Sequence, residues 1–156
     1  MSGQNLLPAL GSECAVKEFA SRLLGVAAEL QASLHRLSGS DSSFAAVGYG
    51  LLMEVYGLRT RSHILSNDSA NHVVNALNFS QLDLLSLFDR VSTAVRAVDD
   101  LRVATSIVLS VATFTVSLGV DRARVVNFLF GALSDYLTRL IRKEIVTPSI
   151  IVAHRV

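Results

Sequence analysis

Between Arg102 and Asp121 the chain carries no charge: the run Val103 to Val120 reads VATSIVLSVATFTVSLGV. Eighteen residues of this kind approach the length of a membrane span. Thr105, Ser106, Ser110, Thr113, Thr115 and Ser117 dilute it, however, and no turn of it is purely aliphatic. The run is therefore expected to form a helix buried on all sides by other helices. Its hydroxyls can bond back to the preceding turn of their own helix, so they tolerate burial. A small protein with such a helix needs enough amphipathic helices to wrap it.

Composition supplies them. Of 156 residues 51% are hydrophobic and 17% charged, which is ample for one core, and a single domain over residues 1–156 is expected. Fourteen basic and 13 acidic residues leave a net charge of +1, a balance that gives no electrostatic reason to expect nucleic acid. Cys14 is the single cysteine and has no disulfide partner within the chain, which fits a reducing compartment. The opening MSGQNLLPALGSE has neither the basic start nor the apolar stretch of a signal peptide. The closing PSIIVAHRV is too short to span a bilayer, so no membrane anchor is expected. Asn67 and Asn78 stand in glycosylation sequons that read as accidental helix-boundary residues.

Six helices can be drawn, with no hairpin turn and no sustained two-residue alternation. The first, about Glu13–Leu37, places Val16, Phe19, Leu23, Ala27, Leu30 and Leu34 at helical spacing, with Ser12 as N-cap and Gly39 at its end. Glu13–Lys17 and Glu18–Arg22 are expected to pair along its outer face. The second, about Ser42–Thr60, contains Gly48, Gly50 and Gly57. Each glycine costs about 1 kcal/mol relative to alanine, so something must approach this helix closely or it must be partly mobile. The third is short, about Asp68–Leu77. The fourth opens on a capping box, Ser80 with Asp83. The fifth is the charge-free helix, about 101–119, capped by Asp99 or Asp100. The sixth runs from about Asp121 to Ile145, and Pro148 is expected to terminate any helix beyond it.

Catalytic signals are missing. His35, His63, His72 and His154 have no ligand partner at helical spacing. The Gly48-Tyr49-Gly50 sequence lacks the lysine and flanks of a phosphate loop. Cys14 has no base or oxyanion site beside it, and Asp99-Asp100 reads as a helix cap. No enzyme, metal or cofactor is expected. Helical bundles of this kind bind apolar ligands between helices, insert into membranes, or accept a partner helix in a groove.

One segment points further. Leu87-Phe88 precedes Val98-Asp99-Asp100-Leu101-Arg102, which opens the charge-free run, and Asp135-Tyr136-Leu137-Thr138-Arg139 lies in the helix expected after it. Over these residues, to Ile145, the chain resembles the Bcl-2 family of apoptosis regulators. In that family a Leu-Phe ends the fourth helix, a Val-Asn-Trp-Gly-Arg motif opens the central helix, and Glu-Tyr-Leu-Asn-Arg lies in the next. The chain departs from the pattern at Asp100 for tryptophan and Leu101 for glycine. Met53-Glu54-Val55-Tyr56-Gly57-Leu58 only hints at the family's Bcl-homology-3 segment, because its aspartate is absent. A rival register laying Gly119–Val126 on the arginine motif leaves too few residues for the next helix. Such divergence in a compact chain resembles virus-encoded members.

The resemblance implies an all-α, Bcl-2-like bundle that inhibits apoptosis by sequestering the death-motif helices of pro-apoptotic family proteins. It implies a location in the cytoplasm, of the host cell if the chain is viral, with a peripheral place at mitochondria left open. The partner groove would lie between the second, third and fourth helices and the start of the fifth. Its floor and rim would be Leu52, Val55, Tyr56, Val74, Leu77, Leu85, Phe88, Asp99, Arg102 and Val103. Arg102 would meet an acid on the partner helix. The rivals are a membrane-perturbing protein inserting its 103–145 hairpin, and a helical oligomerisation scaffold. A homodimer is compatible with any of these.

Overall fold

The computed structural model describes residues 7–119 and 122–155, with side chains as far as Arg142. Five helices succeed one another: α1 (Glu13–Ser38), α2 (Phe44–Asn67), α3 (Gln81–Arg96), α4 (Leu101–Ser117) and α5 (Ala123–Arg155). One 3-10 turn, Ser69–His72, comes after α2, and the described residues contain no strand. The fold is all-helical.

Three helix starts obey their capping residues. Ser12 accepts from the Ala15 amide, Ser80 and Asp83 form the reciprocal box, and Asp100 rather than Asp99 accepts from the Arg102 amide at 2.8 Å. Four expectations need correction. The third helix is only the 3-10 turn. Residues 73–79 are irregular, with Ala76 at φ 68° and a bend at Asn78 and Phe79, because Pro8–Leu10 offers their backbone partners: Val74 N–H donates to Leu10 at 2.9 Å and Ala9 N–H donates to Phe79 at 3.1 Å. The second helix does not stop near Thr60 but continues through Ile64 and Leu65, so it also carries His63. Helix α5 runs past Pro148, since a proline removes one helical hydrogen bond and bends a helix without having to end it. The Glu13–Lys17 and Glu18–Arg22 pairs are not among the ion pairs of the described residues. Instead Arg22 reaches across to Asp89 on α3 at 2.6 Å, and Glu18 accepts from Gln81 at 3.1 Å.

The first four helices form one bundle. Helix α1 packs on α2 and α3, α4 closes the bundle from the other side, and α5 lies outside against α3 and α4. Helices α2 and α3 stand at opposite corners and do not touch. Phe19, Phe88 and Phe114 meet at the centre with ring centroids 5.0 to 6.5 Å apart, and Phe130 of α5 stacks on Phe79 at 3.8 Å. Such pairs add to area burial about 0.5–1.5 kcal/mol each.

Helix α4 is two-faced. Ile107, Val108, Val111 and Phe114 are completely buried, while Arg102, Ser106, Leu109, Thr113 and Val116 form an exposed stripe. The expectation of burial on every side therefore fails, because α5 covers only one flank. Its hydroxyls do bond back along the helix. Thr115 donates to Val111 at 3.0 Å and Ser117 to Phe114 at 2.5 Å, both buried. No helix among the described residues is long and apolar enough to cross a membrane.

Candidate helix-binding site

The residues foreseen as one groove are divided between the core and several surfaces. Val55 and Phe88 are 1% and 0% exposed and point into the shared core. Leu77 and Leu85 are also buried, and Leu52 and Val74 pack against the core's edge. Tyr56 lies on the outer face of α2, 55% exposed. Asp99 is exposed. The division arises from the packing order: α1 and α4 fill the space between α2 and α3, so the two expected groove walls never face each other. Which face of each amphipathic helix turns outward depends on that order, and periodicity does not contain it.

Two clefts flank the start of α4. The more apolar one lies between α3 and α5 and has a volume of about 400 Å³. One wall is the α3 stripe Ser86, Asp89, Arg90, Thr93, Ala94 and Ala97, and the other is Leu140 and Ile141. Val103, foreseen as a groove residue, closes the end. The stripe recurs every three or four residues, so it is one helix face about 16 Å long. Its small side chains keep the cleft open.

Arg90 is the cation of that stripe, and sequence reasoning gave it no role. Its guanidinium donates to the Ser134 hydroxyl at 3.2 Å, the Ser134 carbonyl at 3.3 Å and the Thr138 hydroxyl at 2.9 Å. These contacts tie α3 to α5 and fix the cation in the cleft wall. All three acceptors are neutral, and Arg90 has no ion pair among the described residues. Its neighbour Asp89 is already engaged by Arg22. The available signal was its place four residues after Ser86 and four before Ala94 on one face.

The second cleft, about 610 Å³, is wider and more polar. Asp41, Ser43 and Val47 at the start of α2 face Asp100, Leu101 and Arg102 at the start of α4. The Arg102 side chain is 93% exposed and lies 3.7 Å from Asp100. Asp41 is held below the usual carboxylate range, first by the Ser43 hydroxyl at 2.5 Å and then by the Ser43 amide at 2.9 Å. Arg102 and Val103 thus belong to different clefts on either side of one helix start.

No family model, curated protein or solved structure matches this chain. Its function is accordingly read from its own residues.

Proposed function

We propose that this protein is a binding module that captures an amphipathic helix in the cleft between α3 and α5. The observation that carries this reading is the pairing of an apolar slot, about 16 Å of helix face, with the Arg90 guanidinium, which is held in place by neutral partners alone. A partner helix would lay apolar anchors three and four residues apart against Ala94, Ala97, Val103 and Leu140. An acid on that helix would meet Arg90, giving register and orientation more than raw affinity. Preorganisation favours the pair, because Ser134 and Thr138 already hold the guanidinium.

The motif resemblance from Leu87 to Arg139 supports a specific partner class, the death-motif helices of pro-apoptotic Bcl-2 family proteins, and hence inhibition of apoptosis by sequestration. In this reading Arg102 has a secondary role. It stands at the mouth of the neighbouring cleft, where an exposed charge contributes about 0–1 kcal/mol.

Calorimetric titration of the purified chain with death-motif peptides tests the proposal. Micromolar or tighter binding, abolished by Thr93→Arg with an unchanged thermal midpoint, is the expected result. Arg102→Glu should weaken binding only a few-fold, and Arg124→Glu, remote from the cleft lining, should have no effect. Absence of binding by every peptide refutes the partner class. Binding that survives Thr93→Arg but is abolished by Arg102→Glu moves the site to the second cleft.

A further inference from the structure

Helix α2 has an outer face that its own chain does not use. Tyr49 is 72%, Met53 71%, Tyr56 55% and Ile64 47% exposed. These four recur at helical spacing, so they share one strip, about 22 Å long from Tyr49 to Ile64. No charged residue stands on it.

Gly50 and Gly57 lie on the same strip, one heptad apart. A Cβ added to either would meet nothing within 4 Å. Gly48 differs, because a Cβ there would run into the Phe44 ring, so its absence of a side chain has a reason inside the chain. Glycine in a helix interior is destabilising by about 1 kcal/mol. At positions 50 and 57 nothing in the chain's own packing explains that cost, whereas the close approach of another backbone would.

The charges beside the strip select the partner. Glu54 and Arg61 are seven residues apart, two turns, and therefore lie along the same edge. Neither forms an ion pair among the described residues. A two-fold axis lying across the strip, perpendicular to α2, carries each edge onto the same edge of a second copy. Glu54 of each copy then stands opposite Arg61 of the other, and the axis passes beside Gly57. Ile64 of one copy falls over the Gly50 notch of the other. Parallel packing instead sets Glu54 against the edge carrying Leu52 and Tyr56, whose cation Arg59 is already engaged within the chain, donating to Gln31 at 2.7 Å.

We infer that this face of α2 binds a second copy of the chain, antiparallel and two-fold symmetric, with Gly57 at the crossing point. Such an isologous contact closes on itself and leaves no free patch for further growth. It lies at the opposite corner of the bundle from α3, so dimerisation and helix capture are independent.

Sedimentation velocity on the full chain tests the inference, with circular dichroism to establish that each variant is folded. The wild type is expected to be a reversible dimer. Gly57→Arg should make it monomeric while leaving it folded, because the site is open. Glu54→Arg and Arg61→Glu should each weaken dimerisation at least tenfold, and the double variant Glu54→Arg/Arg61→Glu should restore it. A wild type that is monomeric at its highest soluble concentration overturns the inference, as does a dimer indifferent to Gly57→Arg. Failure of the double variant to restore dimerisation overturns the antiparallel register. A monomer that instead binds anionic phospholipid vesicles through this face, losing them in Gly57→Arg, assigns the strip to a lipid surface and refutes self-association.

Discussion

Helices α1 and α2 are nearly equal in length, 26 and 24 residues, and pack against each other, yet they use their apolar residues differently. Helix α1 buries Val16, Phe19, Leu23, Leu30 and Leu34 almost completely and exposes no large apolar side chain. Helix α2 buries Leu51, Val55 and Leu58 but leaves Val47, Tyr49, Met53, Tyr56 and Ile64 in the open. In α1 the apolar stripe matches the core it faces. In α2 the apolar residues run around the helix, and the intramolecular core uses only one side. The surplus is the informative part, because an exposed contiguous apolar face marks an interaction site.

Paired aspartate substitutions break this comparison most severely. Leu23→Asp in α1 puts a carboxylate at a position 0% exposed and should destabilise the chain by several kcal/mol, enough to unfold it. Met53→Asp in α2 should leave the thermal midpoint almost unchanged, since the side chain is 71% exposed. Equal losses in thermal denaturation would mean that α2 is as buried as α1.

A smaller effect comes from the buried hydroxyl joining the two helices. Ser62 on α2 donates to the Ala20 carbonyl on α1 at 2.7 Å. Ser62→Ala should cost about 0.5–1.5 kcal/mol in urea denaturation, with an unchanged m-value.

Glycines sharpen the contrast further. Gly25 in α1 and Gly50 in α2 both face open space. Alanine at either should stabilise the folded monomer by about 0.5–1 kcal/mol. Only Gly50→Ala should also weaken self-association in sedimentation. If both variants leave association intact, the notch at Gly50 has no occupant.

The smallest effect lies in the turn between the helices. Hydrogen bonds from Ser43 lower the Asp41 pKa below its ordinary 3.8. A carboxyl depressed in the folded state contributes stability above the unfolded pKa, and that contribution is lost as pH falls through the folded pKa. The wild type should therefore lose stability more steeply than Ser43→Ala on acidification below about pH 4. An NMR titration should show the Asp41 midpoint rising toward its ordinary value in Ser43→Ala.

Much of this fold was legible locally. Ser12, Ser80 and Asp100 mark helix starts because a cap is a contact among neighbours in sequence. The α1 stripe was readable because its spacing is regular. The illegible parts depend on distant partners. Residues 73–79 are not helical because Pro8–Leu10 pairs with them, some seventy positions away in the chain. Arg90 gains its role only when α5 brings Ser134 and Thr138 beside it. Val55 and Phe88 have the spacing of either a groove floor or a core, and the packing order of α1 and α4 decides for core. The cleft at Val103 was half visible: one of its residues was foreseen, and its α5 wall was not.

The most direct test maps where a partner helix sits. Amide chemical shifts of the labelled chain should be tracked through titration with a death-motif peptide to saturation. The expected perturbations cluster on Ser86–Ala97, Val103, Leu140 and Ile141, with the Arg90 side-chain resonance shifting most among the arginines, while Tyr49, Met53 and Gly57 on α2 stay fixed. Perturbations concentrated on α2, or none at all at saturating peptide, would contradict the assignment of the cleft between α3 and α5 as the helix-binding site.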